Sequence, residues 1–131
     1  QKKLKFLIEI IKNDIEIDIE KQKMLLYLKN KWLKLACCSN ATKNSLDLLF
    51  KKSWLYEYFD LIISNEDVLN PKPNPEMYLK AINIFWLKPK EVYILEDSEN
   101  GLKAAYSSGA NVIKISSVKD VDISLFTKIW I

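Results

Sequence analysis

At 131 residues the chain has the length of one domain, and 49% hydrophobic with 28% charged residues is the balance of a globular protein rather than a disordered one. Its 20 basic residues are all lysine and face 17 acids, so the net charge is only +3. That is too slight to point to a nucleic-acid partner, and no arginine supplies a planar fork for phosphates or bases. Histidine is absent too, which excludes Ser-His-Asp and Cys-His triads, histidine-based zinc sites and imidazole acid–base chemistry. Catalysis on this chain is left to carboxylates, lysine, hydroxyls, backbone amides and a hard metal ion.

In chain order, residues 2–12 carry Leu4, Leu7, Ile8 and Ile11 at helical spacing behind a lysine-rich start, which predicts an amphipathic helix packed on protein. Residues 13–19, NDIEIDI, alternate like a strand, although Asn and Asp suit a connecting segment equally well. A second helix is expected over about 20–30, with Met24, Leu25, Tyr27 and Leu28 as its apolar positions. WLKLACC then predicts a buried strand over 33–38 that feeds a polar loop at Ser39-Asn40. Cys37 and Cys38 are neighbours on that strand and point to opposite faces, so a disulfide between them would be strained. Two reduced core thiols in a cytoplasmic protein are expected instead.

Leu46, Leu49 and Phe50 mark another helix, and residues 61–63 a short strand that ends in polar residues 64–67. Pro71, Pro73 and Pro75 punctuate the next loop and bias Lys72 and Asn74 toward extended backbone. Asn74 is placed to cap a helix with Pro75 at its first position, carrying Met77, Tyr78, Ala81, Ile82 and Phe85 inward. A strand over 92–95 terminates in Glu96-Asp97; Ser98 caps the helix that follows, and Gly109 stands where a left-handed C-terminal cap is wanted. Residues 112–115 form the next strand, and 123–131 a weak final helix or strand. Trp32 and Phe85-Trp86 occupy positions where a small residue or glycine commonly ends a helix before a strand, which puts an unusual turn at each.

Strands alternating with helices imply a doubly wound α/β fold with a parallel sheet, in which ligands gather at the carboxyl ends of the strands. Three such ends carry the chemically interesting residues: Ser39-Asn40, the loop holding Lys72, and Glu96-Asp97. Each also has a plainer explanation. Glu96-Asp97-Ser98 suits an acidic helix N-terminus, Lys72 alone reads as an exposed loop lysine, and Ser39 as a turn residue. No apolar run approaches the ~18 residues of a bilayer span and no signal-peptide pattern opens the chain, so no membrane is expected as partner; the slight net charge and lack of arginine speak equally against a nucleic acid.

Three motifs taken together resemble a known family. CSN at 38–40, KPNPEMYLKA at 72–81 and LEDSENGLKAAYSSGANVI at 95–113 are similar to the haloacid dehalogenase-like (HAD) hydrolase superfamily, most of all its phosphatase and β-phosphoglucomutase-like branch. YFDLIISNEDV at 58–68 fits the same branch, and the resemblance runs from about Ile19 to the end. It implies a three-layer Rossmann-like parallel sheet with helices on both faces. By the same resemblance Ser39 would hydrogen-bond the phosphoryl oxygens with the Asn40 backbone amide beside it, and Lys72 would neutralise phosphate and the nucleophilic carboxylate. Asp97 would hold Mg2+ directly and Glu96 through water. A hard cation does need carboxylates on a rigid strand end, and phosphoryl transfer does rest on preorganised charge.

The chain departs from the family where an aspartate nucleophile is expected. No DxDGT-like motif is present; Asp14 and Asp18 lie four apart, with no apolar strand before them and no glycine after them. The resemblance therefore implies that 1–18 are a remnant of a helical cap domain, and 19–131 a core that lacks its first, central strand. On that expectation a vacant lane, ~10 Å wide, separates strands 33–38 and 60–63 from strands 92–96 and 111–115, which would leave the chain unstable or aggregation-prone. The implied function is a Mg2+-dependent phosphohydrolase of small phosphorylated metabolites acting through an aspartyl-phosphate, inactive as the present fragment. A sugar-phosphate mutase and a non-catalytic binding or regulatory module are the alternatives.

Overall fold

The computed structural model describes residues 5–8, 19–53, 55–116 and 120–129. They build a five-stranded parallel sheet from β1 (Lys5–Ile8), β2 (Leu35–Cys38), β3 (Leu61–Ile63), β4 (Val92–Glu96) and β5 (Asn111–Lys114), in the order β3-β2-β1-β4-β5. Parallel neighbours need crossovers. These are supplied by helices α1 (Ile19–Asn30), α2 (Lys43–Ser53), α3 (Glu76–Ile84) and α4 (Glu99–Ser107), with a short α5 (Ile123–Thr127) after the last strand.

The expected α/β architecture is present, with helices on both faces. One apolar layer joins Met24, Leu25 and Leu28 of α1, Leu46 and Phe50 of α2 and Phe126 of α5 to Leu35, Cys37 and Leu95 of the sheet. The other joins Met77, Tyr78, Ala81 and Ile82 of α3 and Ala104 and Ala105 of α4 to Ala36, Cys38, Val92 and Ile94. Strand alternation thus sends Cys37 and Cys38 into opposite layers, both as buried thiols outside any disulfide. All four residues of β2 are buried, as befits a strand covered on both sides, whereas the edge strands β3 and β5 are mostly half-buried. Among the described residues no helix is long and apolar enough to cross a membrane.

The central lane is not vacant. Lys5–Ile8 lies between β2 and β4 and pairs in parallel with both, Phe6 opposite Leu35 and Leu7 opposite Ala36 on one side, Lys5 through Ile8 opposite Val92 through Leu95 on the other. The helix expected over 2–12 is corrected to a strand at its centre, and residues 5–8 belong to the core sheet rather than to a cap remnant ending at 18. The rest of that expectation, including the alternating stretch 13–18 with Asp14 and Asp18, lies outside the described residues. The physical reason is local ambiguity: a short apolar run such as KFLI satisfies helix and strand equally. Two facing rows of backbone donors and acceptors then decide the matter, since each buried peptide group left unpaired costs about 1–3 kcal/mol. With the lane filled, the expected instability loses its cause.

Other boundaries shift by a residue or two. Pro75 is the N-cap of α3 rather than its first residue, yet the Asn74 side chain still accepts from the Glu76 amide at 3.0 Å. Trp32 and Trp86 adopt φ of 62° and 58°, the left-handed region where glycine is at ease, and Gly109 does so at 83°. Both tryptophans project into solvent.

A proline in the central strand tests the sheet. Leu7→Pro removes a ladder donor from β1, which is bonded on both sides, and should abolish the cooperative thermal transition followed by circular dichroism, while Leu7→Val should retain it. A Leu7→Pro chain that melts like the parent would place residues 5–8 outside the sheet.

Candidate active site

The strand order reverses at β1: the chain proceeds outward through β2 and β3, then crosses back to β4 on the other side. In open parallel sheets this switch point leaves a crevice at the carboxyl ends of the strands. Ser39 and Asn40 follow β2, Glu96 ends β4 with Asp97 next, and Lys72 reaches in from the loop between β3 and α3.

Lys72 is not an exposed loop lysine. It is 5% exposed, and its Nζ donates to the Cys38 carbonyl at 2.8 Å and to Glu96 Oε2 at 2.9 Å. Its backbone is clasped by Asn40, whose Oδ1 accepts from the Lys72 amide at 3.0 Å and whose Nδ2 donates to the Lys72 carbonyl at 3.1 Å. The Lys72–Pro73 peptide is cis. The structure therefore gives the Asn40 side chain a part that the resemblance did not imply, holding the lysine loop against the end of β2. Ser39 is buried; its amide donates to the Ile63 carbonyl and its Oγ accepts from the Ala41 amide at 3.1 Å. Both the turn role and a position at the strand end thus belong to Ser39.

Glu96 is fully buried, and its carboxylate is held on every side. Oε2 accepts from Lys72 Nζ and from the Tyr78 hydroxyl; Oε1 accepts from the Asp97 amide at 3.2 Å, and from the Ser98 amide and hydroxyl at 3.4 and 3.2 Å. These donors engage both carboxylate oxygens and fix the group in place. Gly101 supplies the room: a Cβ there would lie 2.0 Å from Glu96 Cδ. Ser98 also caps α4 through its Oγ, which accepts from the Gly101 amide at 3.0 Å. The capping explanation of Glu96-Asp97-Ser98 therefore holds for Ser98, while Glu96 turns inward to Lys72.

Asp97 is half-buried beside this pair. Burial, and after it the Glu96 charge, pushes its carboxyl above the usual aspartate range, against the smaller opposing effects of backbone hydrogen bonds and Lys72. A carboxylate whose charge is poorly accommodated is one that a hard cation would relieve. No group of three or more His, Cys, Asp or Glu able to hold a metal occurs among the described residues. The donor set fits Mg2+ only in the open manner usual for that ion, which takes one or two carboxylates and keeps waters and phosphate oxygens.

Helical spacing assigns Tyr78 only to the inward, apolar face of α3. The available signal was its hydroxyl, since a buried tyrosine normally requires a partner for the O–H.

A Rossmann-like sheet with a lysine, a serine loop and an acidic pair at its carboxyl edge is an α/β arrangement suited to anions and hard cations. The chain belongs to the haloacid dehalogenase-like hydrolase family, whose sequence model matches residues 3–115. It is 33% identical over 85 residues to a phosphorylated carbohydrates phosphatase of Thermotoga maritima, covering 65% of this chain and 39% of that protein. Among solved structures it is similar to a HAD-superfamily hydrolase from Ehrlichia chaffeensis (TM-score 0.74, 26% identity, 93% of this chain and 61% of that one). It is also similar to a candidate β-phosphoglucomutase from Thermotoga maritima (TM-score 0.71, 28% identity, 83% and 51%). The chain spans roughly two-fifths of the length of the curated relatives it matches.

Two substitutions test this geometry. Gly101→Ala would ordinarily favour a helix by up to about 1 kcal/mol. Here its methyl meets a carboxylate that cannot swing aside, so it should instead destabilise by about 1–3 kcal/mol in urea denaturation.

Asp97→Asn should do the opposite in metal-free buffer. Because the folded pKa is raised, the folded state holds its proton longer than the unfolded state does. Asp97 therefore lowers stability as pH climbs from the unfolded value of 3.8 through the higher folded one, and the deficit persists at neutral pH. Removing the charge should raise the melting temperature slightly at pH 7, with no gain at pH 3, and should abolish any stabilisation by added Mg2+.

Proposed function

We propose that the protein is a Mg2+-dependent phosphohydrolase of small phosphorylated metabolites. The observation that carries this reading is the burial of Lys72 between the Cys38 carbonyl and Glu96, beside Ser39 at the switch point of the sheet. A positive charge fixed there before substrate arrives meets the phosphoryl group without reorganisation. The Ser39 hydroxyl and the Asn40 backbone amide complete the phosphate cradle. Asp97 is the residue that would hold the cation, with Glu96, its oxygens already engaged, acting through water. When bound, Mg2+ supplies neutralisation of the phosphoryl oxygens.

An aspartyl-phosphate route also needs an attacking carboxylate. Among the described residues Glu96 is committed to Lys72 and Tyr78 and Asp97 to the cation, and the sequence has no DxDGT-like motif, so the 131-residue chain is read as binding phosphate without turnover. The relatives named phosphatases support hydrolysis. The likeness to the candidate β-phosphoglucomutase favours one second reading, a sugar-phosphate mutase that returns the phosphoryl group to substrate. In both readings the partner is a small phosphorylated metabolite, not a nucleic acid or a membrane, and the setting is cytoplasmic.

Calorimetric titration of orthophosphate in Mg2+ buffer tests the reading. The chain should bind, and Lys72→Met should weaken binding at least tenfold, about what loss of one charged hydrogen bond predicts. p-Nitrophenyl phosphate should be hydrolysed no faster than by the Asp97→Ala chain. Unchanged phosphate affinity in Lys72→Met would remove Lys72 from the cradle, and turnover clearly above Asp97→Ala would overturn the assignment of the chain as non-catalytic.

A further inference from the structure

We propose that Tyr78 is a positioning residue: its hydroxyl fixes the Glu96 carboxylate, and Glu96 in turn holds the Lys72 ammonium at the end of β2. Tyr78 lies on α3, completely buried in an otherwise apolar layer with Met77, Ala81, Ile82, Ala36, Ile94 and Ala104. A hydroxyl in such surroundings costs free energy unless it finds a partner. It donates to Glu96 Oε2, the same oxygen that accepts from Lys72. The Tyr78 ring also lies beneath the ammonium, with Nζ 5.0 Å from its centroid.

The three groups therefore form a closed arrangement. Lys72 touches the ring and the carboxylate, and the carboxylate touches the hydroxyl on that ring. The other carboxylate oxygen is held by the amides of Asp97 and Ser98, and Gly101 lets the group sit against α4. Lys72 and the Tyr78 hydroxyl both donate to Oε2, so the hydroxyl ties that oxygen to α3 independently of the ammonium. Phenylalanine would fill the same space and keep the ring beneath the ammonium, so the hydroxyl is the separable element.

The consequence for phosphate rests on the phosphohydrolase reading, but the consequence for Lys72 does not. In 15N-labelled chain, the Lys72 ammonium should give a slowly exchanging 1H–15N correlation, identified by its loss in Lys72→Met. Tyr78→Phe should speed its exchange with water at least tenfold while the chain stays folded by circular dichroism, and should weaken orthophosphate binding three- to tenfold. A protected Lys72 signal that is unchanged in Tyr78→Phe overturns the proposal, as does the absence of any protected signal in the unmutated chain. Should Tyr78→Phe fail to fold, the unmutated chain still decides. Its Tyr78 hydroxyl proton should appear as a slowly exchanging low-field resonance that vanishes in Glu96→Gln, and no such resonance overturns the proposal. Failure of the unmutated chain to bind orthophosphate would instead remove the phosphohydrolase reading, with the ammonium exchange still judging Tyr78.

Discussion

The Lys72–Glu96 ion pair is the constraint on which the carboxyl edge of the sheet depends. Its two side chains are 2% and 0% exposed, and its atoms meet at 2.9 Å. Taking both charges out of water costs several kcal/mol each, so the pair persists only because further donors and acceptors surround it. Cys38 offers a carbonyl, Tyr78 a hydroxyl, and residues 97 and 98 their amides. Removing one partner would strand the other, a loss of about 3–5 kcal/mol against a typical total of ~5–15 kcal/mol. The pair joins the loop after β3 to the end of β4, elements on opposite sides of β1. The crevice is therefore held together by electrostatics where the backbone ladder ends.

Much of this was legible in the sequence because it rests on local rules. The apolar runs at 35–38, 61–63 and 92–96 are strands, Ser98 caps a helix, and Gly109 takes a positive φ because each obeys a short-range preference. Trp32 and Trp86 stood out as residues misplaced at glycine-like positions, and their positive φ bears that out. The family was legible from three motifs in order, and the sequence match over residues 3–115 supports it.

What the sequence did not disclose is tertiary. The role of Lys5–Ile8 turns on an opening between two strands far along the chain, and no local pattern contains that information. The Asn40 side chain reaches a backbone 32 residues away, and Tyr78 meets a carboxylate 18 residues away. Helical spacing identified Tyr78 as inward-facing but said nothing of what its oxygen would find there. Lys72, read in isolation, belonged on the surface; only its neighbours in space make it a core residue.

The contact between Glu96 and Gly101 couples the two positions sterically. Position 101 can hold only hydrogen while position 96 holds a long, immobile side chain, because the two occupy one volume. The converse also follows: a small residue at 96 would free that volume and admit a side chain from 101 into the same pocket. Enlargement at 101 alone meets the Glu96 side chain, whereas a paired exchange, smaller at 96 and larger at 101, is sterically open.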